Sequence, residues 1–167
     1  MNSLKLAFLL CLLALPCAAQ SITTPVLPVT GNFFVSVDDH CTIFINGQKF
    51  YHGDLGSSRS PDTVLKVGDR VVVHLVNDVG PRHFMMVFAS TDGKQVISFK
   101  RSDFKLVPEY AANDFTTTEF ESWTMPKELK HKPRLPVKSY SEPIWGNLDR
   151  CIVASAIKQE MISQRPQ

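Results

Sequence analysis

The stretch VSVDDHCTIFINGQKF, residues 35–50, reads as two strand segments running into a tight turn. Phe33 to Val37 and Cys41 to Ile45 are rich in β-branched and aromatic residues. Asn46-Gly47 is the dipeptide that tolerates positive φ at both corners of a two-residue hairpin loop, so Gln48 to Tyr51 is expected to return as the partner strand. Further out, LKVGDRVVVHLVND (65–78) repeats the pattern. Gly68-Asp69 is a turn between Thr63 to Val67 and Arg70 to Asn77. In the second segment Val71, Val73 and Leu75 alternate with Val72, His74 and Val76; both faces are apolar, and the strand is expected to be buried on each side.

Gly80-Pro81 breaks the chain before His83 to Ala89, Asp92-Gly93 separates that run from Gln95 to Phe99, and Cys151 to Ile157 restores a strand pattern near the end. Short strands about ten residues apart indicate an all-β sandwich or barrel. Between them, Lys100 to Pro143 carries Pro108, Pro126, Pro133, Pro136 and Pro143, which exclude long helices and central strands. That stretch is expected to be a long irregular excursion over the sheets, with a short helix around Thr118 to Ser122. Gly56-Ser57-Ser58-Arg59-Ser60 reads as a flexible serine loop and not as a Gly-x-Ser-x-Gly nucleophile elbow.

At the N-terminus, Lys5 precedes an apolar run from Leu6 to Leu15, followed by Pro16, Cys17, Ala18 and Ala19. This is the order of a secretory signal, with cleavage expected after Ala19. The run is about half the roughly 20 residues needed to cross a bilayer, so no membrane anchor is expected. The domain plan is then a signal peptide (1–19), an extended lead-in (20–31), one β-sandwich domain (32–158) and a polar C-terminal tail (159–167). An extracellular destination is expected. Roughly 150 residues remain after cleavage, enough for a single core.

The formal charge of +2 falls by one with Lys5, which leaves no global field for nucleic acid. Two of the four cysteines, Cys11 and Cys17, lie in the signal, leaving Cys41 and Cys151. Outside the cell these are expected to form one internal disulfide; buried thiols or an intermolecular bridge are the alternatives.

Five segments in order resemble the galactose-binding-domain-like jelly rolls that accompany glycoside hydrolases, including rhamnosidase N-terminal modules. They are VSVDDHCTIFINGQKF (35–50), LKVGDRVVVHLVND (65–78), ISFKRSDFKLVPEY (97–110), DFTTTEFESWTMPKEL (114–129) and EPIWGNLDRCIVASAI (142–157). Phe104 stands where that family often has Trp, and Thr117-Thr118-Glu119 with Glu121 replaces its usual acidic pair. The resemblance implies a jelly-roll β-sandwich with a long irregular region before the last strand, core positions for Trp123 and Trp145, and a carbohydrate-binding, lectin-like role without catalysis. A structural or matrix component of an extracellular secretion, coat or mineralised shell is the alternative.

Individual residues suggest several chemistries. Asp38 and Asp39 can supply oxygen ligands for a structural calcium ion, or cap the strand end by accepting backbone hydrogen bonds. The five histidines show no zinc-motif spacing, and a blue-copper site lacks a histidine after Cys151. Sugar rings are held by exposed aromatic faces with a few planar polar groups, for which Tyr51, His52, Tyr110 and Tyr140 are candidates. Lys127, Lys130, Lys132, Arg134 and Lys138 form a proline-extended basic strip. It suits either contact with sulfated glycans and acidic matrix components or simple solvation.

Overall fold

A computed structural model describes residues 28–109, 124, 126–129, 133–145 and 149–166. Its strands are β1 (Val29–Val37), β2 (His40–Ile45), β3 (Gln48–Gly53), β4 (Gly56–Arg59), β5 (Thr63–Leu65), β6 (Arg70–Val76), β7 (Phe84–Ser90), β8 (Gln95–Ser98), β9 (Lys105–Pro108), β10 (Lys127–Glu128), β11 (Ile144–Trp145), β12 (Arg150–Ala156) and β13 (Ile162–Gln164). They form two antiparallel sheets packed face to face. The first is built on β1 and β7, which pair from Gly31↔Ser90 to Val37↔Phe84. β4 and β5 take the far side of β1, β8 and β11 take the far side of β7, β13 extends β8, and β10 extends β11. The second sheet runs β3-β2-β6-β12-β9. The expected all-β sandwich is therefore what the chain forms.

Alternation explains how the layers meet, because successive side chains on a strand point to opposite faces. Phe33, Val35, Val37, Phe84, Met86 and Phe88 on one sheet face Cys41, Ile43, Val71, Val73, Leu75 and Val153 on the other, all buried in one cluster. Phe33 packs edge-on against Phe88 at 5.0 Å, and Phe99 stacks on Phe104 at 5.7 Å. Trp145 is fully buried. The outer faces also carry apolar groups. Val87, Ala89 and Val96 are covered with the help of Leu135 and Val137, while Val72, Ile152 and Ala154 cluster on the second sheet. β6 is thus buried on both faces at Val71 to Val73, but its outer face opens at His74 and Val76.

Turn chemistry locks one end. Asn46 and Gly47 both adopt positive φ, 49° and 83°. The Asn46 side chain donates to Asp69 Oδ1 at 3.0 Å, and the Arg70 backbone N–H donates back to Asn46 Oδ1 at 2.9 Å, tying the hairpin turn to the Gly68-Asp69 turn.

Three expectations need correction. The serine segment is not a loop: Gly56–Arg59 is a strand, paired with Val37 to Phe34. Its small polar residues give it little strand propensity, and the hydrogen-bonding edge of β1 supplies what propensity does not. The lead-in and the tail both contribute strands, since β1 begins at Val29 and β13 pairs with β8 behind the buried Met161. The sandwich therefore spans Val29 to Gln164, whereas the expected signal peptide and the helix near Thr118 lie outside the described residues.

The third correction concerns the cysteines, which form no disulfide with each other. Cys41 and Cys151 both sit opposite Leu75, one on each side of β6. Two strand spacings separate their Cα atoms by about 10 Å, beyond the roughly 7 Å a disulfide spans. Both thiols are core residues, and burial pushes the Cys41 thiol up to about 12.

Candidate functional site

Two surface regions gather polar side chains. The first lies beside the end of β8. Tyr140 is 59% exposed and lines a cleft of about 480 Å³ with Ser98, Lys100, Asp103, Lys158 and Glu160. Its backbone is held on both sides. The Tyr140 N–H donates to Ser98 Oγ at 3.1 Å, and the Phe99 N–H donates to Ser141 Oγ at 3.0 Å. The Glu142 N–H donates to the Phe99 carbonyl, and the Arg101 N–H donates to the Glu142 carboxylate at 2.7 Å. Ser141 is fully buried. The phenol ring is thus presented to solvent from a fixed segment.

The second region is the outer face of the second sheet where β6 opens. His40, Thr42, His52, His74 and Val76 line a hollow of about 330 Å³. Its placement follows from a β-bulge. The hairpin pairs Ile45 with Gln48 and Phe44 with Lys49, then shifts so that Ile43 faces Tyr51 and Thr42 faces His52. The extra residue reverses the pleat of the rest of β3 relative to β2. Phe50 and Tyr51 pack against the core, and His52 stands outward. The sequence reading of Tyr51 as a sugar platform is corrected on this ground, because the ring faces the same interior as Ile43.

In the outward cluster, His40 Nδ1 and His52 Nε2 lie 3.0 and 3.2 Å from Asp54 Oδ1. Thr42 Oγ1 lies 2.9 Å from His52 Nδ1, and Asp78 Oδ2 lies 3.5 Å from His40 Nε2. The two imidazoles stack with centroids 5.9 Å apart and planes 15° from parallel. Deeper in the same face, His74 Nε2 lies 2.9 Å from Glu109 Oε1. Burial holds the His74 imidazole below the ordinary histidine range, with Glu109 opposing that shift.

Asp38 and Asp39 serve different surroundings. Asp39 Oδ2 accepts the backbone N–H groups of Asp78 and Val79, at 2.6 and 3.1 Å, which lowers its pKa. That is the capping role the sequence also allowed. Asp38 is buried, and desolvation, followed by the neighbouring Asp39 charge, raises its pKa against the pull of His83.

Of the basic strip, Lys127 is exposed on β10, and Arg134 and Lys138 are exposed on a segment whose Leu135 and Val137 pack on the outer face of the first sheet. Lys130 and Lys132, like Tyr110 and Trp123, lie outside the described residues. Among the described residues no helix is long and apolar enough to cross a membrane.

Sequence pattern alone marks neither His40 nor Asp54 as ligand-binding residues. The signal it lacked was the bulge, which brings the outward positions of β2 and β3 and the following Asp54 together.

The fold and these two regions define a two-sheet β-sandwich with separated polar hollows, one on each sheet. No protein-family model, curated protein or solved structure matches the chain.

Proposed function

We propose that this protein is a secreted, non-enzymatic β-sandwich that binds carbohydrate, of the galactose-binding-like jelly-roll kind, with the Tyr140 cleft as its sugar site. The observation that carries this reading is the exposed Tyr140 ring on a backbone fixed by hydrogen bonds at Ser98, Phe99 and Arg101. A backbone already held in place lowers the ordering cost of setting an aromatic face against the apolar face of a pyranose, and such preorganisation favours affinity.

The surrounding groups suit hydroxyls. Lys100 and Lys158 donate, Asp103 and Glu160 accept, and Ser98 can do either. Two cations balance two carboxylates, which favours neutral glycans over sulfated ones. Residues 1–19 supply the export signal.

The test is a glycan array probed with the wild-type protein and with Tyr140→Ala. Binding to neutral glycans that falls at least about tenfold in the variant supports the reading, since tenfold is about 1.4 kcal/mol and truncating a hot-spot aromatic costs about 2 kcal/mol or more. Absence of binding across neutral and sulfated glycans overturns it.

A second reading, a component of an acidic extracellular matrix, draws on Arg134 and Lys138, which project from the segment that Leu135 and Val137 seat on the sheet. Retention on heparin that Arg134→Ala with Lys138→Ala abolishes would favour it.

A further inference from the structure

The histidine corner of the second sheet lies on a different face from the Tyr140 cleft, and its donor set has a chemistry of its own. We propose that His40, His52 and Asp54 bind a divalent transition-metal ion of the zinc class, with one coordination position open to the hollow.

The spacing of the donors fits such an ion. Donors on a tetrahedral zinc ion with bonds of about 2.0–2.1 Å sit about 3.3 Å apart. Asp54 Oδ1 is already 3.0 Å from His40 Nδ1 and 3.2 Å from His52 Nε2, so two edges of the ligand triangle are in place. All three donors fall within 4.8 Å of one another, and among the described residues this is the group that could hold a metal ion. Binding requires the remaining edge to shorten to the same length, and both imidazoles are half-exposed at the surface.

The outer partners of the two rings fit a bound ion as well. A metal-bound imidazole donates its other N–H to an oxygen, which fixes its tautomer and orientation. Each ring has such an oxygen: Thr42 Oγ1 beside His52 Nδ1, and Asp78 Oδ2 beside His40 Nε2. With the ion bound, His52 presents the Nε2 lone pair to the metal and donates Nδ1–H to Thr42. His40 presents Nδ1 and donates Nε2–H to Asp78.

Donor identity selects the metal. Two imidazoles and one carboxylate suit zinc, nickel, copper or ferrous iron, whereas calcium and magnesium take oxygen ligands. The fourth position faces the hollow lined by Thr42, His74 and Val76. His74 stands outside this group of three, with its Nε2 2.9 Å from Glu109 Oε1.

The experiment is calorimetric titration of the chelator-treated full chain with zinc chloride alone, repeated with cobalt chloride for its visible ligand-field bands. The expected result is one ion per chain, with cobalt bands of a low-coordinate site. His52→Ala and Asp54→Asn should each weaken zinc at least about tenfold, and Thr42→Val, which leaves every ligand in place, about tenfold. His74→Gln should bind as the wild type does. His52→Gln, which can keep a contact to Thr42, guards against misfolding of the alanine variant and should show the same loss. No zinc binding, binding unchanged in both His52 variants, or equal loss in His74→Gln overturns the proposal. Each outcome is independent of the glycan array.

Discussion

The Tyr140 cleft and the histidine corner are built in opposite ways. The corner takes His40, Thr42, His52 and Asp54 from one hairpin and the residue after it, and the pleat of two adjacent strands positions them. The cleft gathers Ser98, Lys100, Tyr140 and Lys158 from segments far apart in the chain, and side-chain-to-backbone hydrogen bonds tie the Tyr140 segment to Ser98 and Phe99. A site made by register persists while its hairpin does. A site made by docked segments depends on the packing beneath it, so the two should respond differently to damage in the core.

The largest break in that comparison is Phe99→Ala. Phe99 is fully buried, stacks on Phe104 and lies 6.3 Å from Phe33, and its backbone N–H anchors Ser141. Truncation should cost about 3–5 kcal/mol in urea unfolding. Below its melting temperature the variant should lose glycan affinity while retaining its zinc stoichiometry. A parallel loss at both sites would show that they share one support.

Ser141→Ala is a smaller and more local break. It leaves the Phe99 N–H without its acceptor in a buried position, for an expected loss of about 1–3 kcal/mol by denaturant titration. Glycan affinity should fall because the Tyr140 segment loosens, although no group touching the cleft has been removed. If affinity holds, the aromatic ring is positioned by something other than this bond.

The two sites also differ in how far the sequence reveals them. The sandwich was legible because period-2 alternation, Asn46-Gly47 and Gly68-Asp69 are local signals, and the structure places strands on each of those segments. Tyr140 was legible as an aromatic in a loop, but its partners were not, since contacts such as Ser98 to Tyr140 span an excursion with no periodicity. The corner is the reverse case. Its residues are close in sequence, and an unbroken two-residue hairpin would have turned Tyr51 outward and His52 into the core. One extra residue between Phe44 and Ile43 pairing exchanges their faces, and no residue type announces a bulge of that kind. The cysteines fail for a related reason: compartment and count favour a bridge, and only the register shows that Leu75 stands between them.

The smallest effect tests whether His74 belongs to the corner or only borders it. His74 faces Thr42 across the β2–β6 pairing, and Thr42 faces His52 across β2–β3, so the three share one row of the sheet. Yet His74 is more buried than either corner histidine and is held beside Glu109. Burial depresses its pKa despite that carboxylate, so on acidification the unfolded chain takes up the proton first. The stability from neutral His74 is therefore complete above its ordinary value of about 6.5 and is lost as pH falls through the lower folded value. Measured as urea midpoints at pH 7.5 and 5.5, the wild-type protein should lose more stability than His74→Gln. The difference between the two chains removes the shared contribution of the other histidines. A variant with the wild-type pH slope would mean that Glu109 offsets burial in full and that His74 adds nothing to the pH dependence of folding.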